Sequence, residues 1–126
     1  MKLFAALSLL LFMTLSALAL AEEPATDAVE RLFQEKMSAL SSSDYALFLE
    51  HTNTAFRQAL APEQFAALST ALADSLAPGY SATHLGILRK QGGLVHVWKV
   101  TPKQIETDFL VQMALTDSEI AGFWIQ

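Results

Sequence analysis

The spacing of apolar residues along this chain changes character three times. From Leu3 to Leu20 it is almost unbroken, interrupted only by Ser8, Thr14 and Ser16. From Val29 the apolar residues recur at intervals of three and four, the period of a helix with one buried face. Val29, Leu32, Phe33, Met37 and Leu40 form one such stripe, with Arg31, Glu35 and Lys36 off it. Asp27 and Glu30 have the spacing of a capping box for its start. Ser41-Ser42-Ser43 breaks that helix, and Asp44 is placed to cap a second through Tyr45, Phe48 and Leu49. Phe56 and Leu60 continue the period after an irregularity at Thr52-Asn53-Thr54. Pro62 opens a third helix at a position where its missing N–H costs nothing. Phe65, Leu68, Leu72 and Leu76 are its buried face, and Ala77-Pro78-Gly79 ends it.

After Gly79 the period shortens to two. Residues 83–91, 94–101, 104–115 and 119–126 read as strands, and Gly92-Gly93 as a two-residue hairpin turn. Thr101-Pro102-Lys103-Gln104 and Thr116-Asp117-Ser118-Glu119 supply the other turns, so the strands form an antiparallel meander. The fold class is α+β, with helices packed on a four-stranded sheet. Closing the hairpins on these turns sets Arg89 opposite His96, Ile87 opposite Trp98 and Val111 opposite Trp124. One face then carries Leu85, Ile87, Trp98, Val100, Ile105, Phe109, Val111, Met113, Leu115, Ile120 and Trp124, with Arg89, His96 and Thr107 as its polar members. This is the expected core face, because a one-residue slip would bury Lys99 and Glu106. The opposite face carries His84 and the apolar set Leu88, Val95, Val97, Leu110, Phe123 and Ile125.

The amino-terminal run explains itself by its flanks. Lys2 precedes it and Ala19-Leu20-Ala21 closes it, the pattern of a secretory signal peptide. Residues 1–21 are therefore expected to be removed, leaving a mature domain of residues 22–126, exported to the periplasm or secreted, with no stable membrane anchor. The chain has 8 basic and 13 acidic residues and a net charge of −5. Cleavage removes only Lys2 of these and makes the mature domain more acidic still. Such a surface repels phosphate backbones, which argues against nucleic-acid binding. There is no cysteine, so the fold relies on its core rather than on disulfides.

In order and content the mature chain resembles the nuclear transport factor 2-like superfamily, with its cystatin-like cone. The resemblance rests on Ser43-Asp44-Tyr45, Leu60-Ala61-Pro62-Glu63-Gln64-Phe65, Lys90-Gln91-Gly92-Gly93 and the final Ile120-Ala121-Gly122-Phe123-Trp124-Ile125. It is nearest to small exported domains of that superfamily, some of which precede an α/β-hydrolase domain that this chain lacks. The resemblance implies helices closing over a curved sheet around a pocket, and frequent dimerisation through the sheet's other face. The superfamily hosts enzymes, carriers and dimerisation modules alike, so the fold does not select among them.

The candidate ligand-binding residues are accordingly Arg89, His96, Thr107, Trp98 and Phe109, suited to a small apolar or anionic ligand. The candidate homodimer interface is Leu88, Val95, Val97, Leu110, Phe123 and Ile125, because an apolar patch of that extent normally contacts something. Catalysis would require an inward acid or base, and His96 alone faces inward. An isomerase- or dehydratase-like enzyme is thus an alternative reading, as is a cystatin-like inhibitor of another protein. No catalytic set, metal site or cofactor is expected. His84 and His96 fall on opposite faces in this register and His51 lies on a helix, so the three histidines do not converge.

Overall fold

A computed structural model describes residues 23–126 except Gln91; the side chains of residues 23–26 are not described. The expected signal peptide lies outside the described residues. The described chain divides into two units at Gln34, the larger being Glu35–Gln126. Among the described residues, four helices are followed by four strands: α1 Glu23–Ser42, α2 Tyr45–Leu49, α3 Thr54–Ala59, α4 Pro62–Leu76, β1 Tyr80–Lys90, β2 Gly93–Pro102, β3 Phe109–Thr116 and β4 Glu119–Ile125. The α+β class stands. No described helix is long and apolar enough to cross a membrane.

Local chemistry accounts for the helix ends. α1 begins at Glu23, ahead of the capping box expected at Asp27. The Asp44 carboxylate accepts from the Leu47 N–H at 3.0 Å, and the Asn53 side chain accepts from the Phe56 N–H at 2.9 Å. Each satisfies a backbone donor that a helix start leaves without an intrahelical partner. Asn53 is the irregularity that splits the second predicted helix into α2 and α3. Pro62 opens α4, and the Gln64 side chain reaches back to accept from the Ala61 N–H at 3.0 Å.

The core of the larger unit is organised around Phe48. Its ring lies 5.1 Å from that of Phe65, 6.0 Å from Phe56 and 5.4 Å edge-on from Phe123, within the range in which aromatic pairs attract. Ser69 is fully buried in α4. Its hydroxyl donates to the Leu40 carbonyl at 2.7 Å and shares a 2.6 Å bond with Ser43, so the serine at the end of α1 is tied to α4.

The sheet is an antiparallel meander in the order β1-β2-β3-β4. On β2 and β3 the expected faces hold: Trp98, Val100, Val111 and Met113 are buried. Three details differ. The first hairpin closes one residue early, pairing Lys90 with Gly93, so Ile87 rather than Arg89 opposes His96. Gly92 turns the chain there with φ +89°. The link between β2 and β3 is longer than expected and leaves residues 103–108, with Ile105, Glu106 and Thr107, outside the sheet. Bulges also interrupt both outer hairpins, one between His84 and Gly86 and one at the start of β4, where Leu115 pairs with Ile120 but Ala114 with Gly122.

Each bulge inserts one residue and so exchanges the faces of what lies beyond it. In β4, Phe123 and Ile125 move to the helix-facing side, opposite Met113 and Val111, and Trp124 moves to the outer side, opposite Gln112. The expected burial of Trp124 and the expected outward placement of Phe123 and Ile125 are thereby corrected. The driving force is visible in the result: the bulge turns the Phe123 ring against Phe48 and leaves Gly122 outward. Trp124 then lies across Gly122, where an added Cβ would sit 2.2 Å from the indole.

Candidate functional site

The bulge in β1 brings two histidines and a tryptophan together. With Leu85 as the extra residue, His84 pairs with Trp98 across the ladder and shares a face with His96. His84 Nε2 lies 3.1 Å from His96 Nδ1. The two imidazole centroids are 5.3 Å apart, and the Trp98 indole is 5.2 Å from His84 and stacked 5.9 Å from His96. The expectation that His84 and His96 occupy opposite faces is overturned by this one inserted residue.

Electrostatics disfavours the charged form of His96. Burial, with His96 only 5 % exposed, disfavours its imidazolium, and a charge on His84 disfavours it further, so its pKa lies below the usual histidine value. Two neutral imidazoles can share one N–H, one ring donating and the other accepting.

Of the residues expected to line a ligand site, His96, Trp98 and Phe109 do lie on the helix-facing side of the sheet, with Phe109 half-buried opposite Val100. Arg89 is exposed at the hairpin end opposite Leu94, and Thr107 is exposed in the loop after β2. Neither stands beside His96. His84 is the member that sequence reasoning missed. The signal for it was Gly86, since a glycine inside a strand often marks a bulge.

A second polar cluster lies at the end of α2. Lys36, expected on the solvent side of α1, is 1 % exposed. Its ammonium donates to the Leu47 carbonyl at 2.9 Å, to the Glu50 carbonyl, and to Glu35 Oε1 at 2.8 Å. His51 Nδ1 meets the same Glu35 oxygen at 3.1 Å. Glu35, Glu50 and His51 bring their ligand atoms within 4.8 Å of one another. The Lys36 ammonium already compensates Glu35, which makes this a structural cluster rather than a cation site.

Burial pushes the Glu35 carboxyl up, but the hydrogen bonds and charges of Lys36 and His51 outweigh it and hold the pKa below 4.5. A lowered carboxyl pKa means that the unfolded chain binds more protons. The contribution is present above about pH 4.5 and is lost as pH falls through the folded value. Urea melts should therefore show a smaller loss of stability for Glu35→Gln than for wild type between about pH 5 and pH 3. Parallel losses would dissociate the carboxylate from acid sensitivity.

The outer sheet face carries a groove of about 510 Å³, bordered by Lys90, Val95, Gln112, Ala114, Trp124 and Gln126 among others. Leu88, Val95, Val97 and Leu110 keep their expected place on this side, and Trp124, 54 % exposed, joins them. No family model, curated protein or solved structure matches this chain.

Proposed function

We propose that the mature protein is an exported binding module of the nuclear transport factor 2-like type, with a cystatin-like cone, that works as a homodimer joined through the outer face of its sheet. The observation that carries the reading is Trp124. A large aromatic stands more than half exposed beside a groove of about 510 Å³, on a face that also presents Leu88, Val97 and Leu110. Leaving such a face wet costs about 25 cal/mol for each Å² of apolar surface. A two-fold axis through the sheet would bring each patch against its own copy and seat each Trp124 in the groove of the other. Aromatic anchors in pockets are what dominate such contacts. The helix-then-meander order and the signal-peptide pattern support the superfamily and export parts of the reading.

Light scattering on the purified mature domain tests it. Wild type should be dimeric at about ten to a hundred micromolar, the range in which a micromolar Kd shows. Val97→Asp should give a folded monomer, because its carboxylate would be buried against its own copy. Phe123→Asp should instead unfold the domain, since that side chain packs on Phe48. A monomeric wild type would remove the dimer.

A further inference from the structure

We propose that His84 and His96 form a two-imidazole chelate for a late divalent transition-metal ion, copper(II) above all. The argument begins with their separation. Metal–imidazole bonds are about 2.0–2.1 Å long, so two nitrogens bound side by side on one ion stand about 2.9–3.4 Å apart, the lower figure for square-planar and the higher for tetrahedral angles. His84 Nε2 and His96 Nδ1 are 3.1 Å apart. That separation falls inside the interval without any change of backbone.

The backbone fixes the arrangement. Both histidines lie in strand, His84 opposite Trp98 and His96 opposite Ile87, two rungs apart on the β1–β2 ladder, and the bulge at Leu85 is what brings them to one face. A regular β1 would have sent His84 to the other side. The stack of His96 on Trp98, with planes 28° apart, further limits how the ring can turn. Two donors held in place lose little freedom on binding an ion, and this is the ordinary source of a chelate's advantage.

The donor set selects the metal. Two nitrogens with open positions left for water suit copper(II), which binds nitrogen most tightly among the first-row divalent ions. Zinc should bind to the same pair more weakly. Calcium and magnesium, which take oxygen donors, should not bind there. His84 is half-buried on β1, an edge strand with one sheet neighbour among the described residues, so an ion can reach the pair from that edge.

Trp98 provides the readout. The chain has two tryptophans, and Trp124→Phe leaves Trp98, against both imidazoles, as the only indole. Copper(II) titrated into that protein near neutral pH, in a non-coordinating buffer, should quench its fluorescence saturably with one-to-one stoichiometry. Adding His84→Gln should move the midpoint upward at least tenfold, whereas His51→Gln should not move it. The copper paramagnetic resonance spectrum should show coupling to two imidazole nitrogens and lose one of them in His84→Gln. His96→Gln should behave alike. If that variant fails to fold by circular dichroism, the half-buried His84 still carries the test. An unchanged midpoint or an unchanged spectrum in His84→Gln overturns the proposal, as does the absence of saturable quenching. Either result would reduce the pair to an internal N–H···N hydrogen bond.

Discussion

Trp98→Ala should lower the stability of the monomeric domain, measured below the concentration at which it pairs, by about 3–5 kcal/mol, the usual cost of truncating a large buried aromatic, whereas Trp124→Ala should cost that monomer at most about 1 kcal/mol. The indole of Trp98 is fully buried, and it packs on both histidines. Its removal leaves a cavity lined by imidazoles that lose their stacking partner. Trp124 is half in solvent, and its indole lies over Gly122. What its removal takes away is a cover for a glycine, not a piece of core. Urea denaturation of the two variants decides the matter. Losses of equal size would mean that β4 runs without its bulge and that Trp124 faces the helices after all.

The contrast between these two tryptophans shows how far the sequence could be read. Helix positions were legible because caps and stops are local: Asp44, Pro62 and Gly79 each act on their immediate neighbours. Strand faces were legible wherever alternation ran unbroken, as it does through Val95 to Val100. Past a bulge the alternation continues in the sequence but changes sides in space, so Trp124, Phe123, Ile125 and His84 were all placed on the wrong face by otherwise sound counting. Gly86 and Gly122 adjoin the two bulges, and both were visible. A strand glycine carries no information about which neighbour is the extra residue, however. That choice is made by packing: Phe123 finds Phe48, and His84 finds His96. Lys36 was misplaced for a different reason. Helical periodicity assigns a lysine to solvent because burying an ammonium is costly, and only the fold reveals that three oxygens are waiting for it.

Lys36→Met is the sharper test of that last point, with an expected loss of about 2–4 kcal/mol. Methionine keeps the length and apolar character of the lysine stem, so packing changes little and the effect isolates the ammonium. In the native domain that ammonium sits at the carboxyl end of α2, a helix of five residues whose closing carbonyls have few intrahelical donors. The Leu47 carbonyl has a second donor in the Glu50 N–H at 3.2 Å. For the Glu50 carbonyl, Lys36 is the donor that the fold supplies. A cation at this end also opposes the partial negative charge of the helix terminus. Without it, α2 is expected to loosen together with the segment that follows, where the His51 carbonyl accepts from the Ile120 N–H at 2.8 Å and the Asn53 N–H donates to the Ile120 carbonyl at 2.9 Å. These bonds stitch α2 to the first residues of β4. Hydrogen exchange should therefore report faster opening at Ile120 in Lys36→Met, and Glu35→Gln, which leaves both carbonyl bonds in place, should show much less. A loss below about 1 kcal/mol with unchanged exchange at Ile120 would mean that water replaces the ammonium without penalty, and that Lys36 is buried without closing the helix.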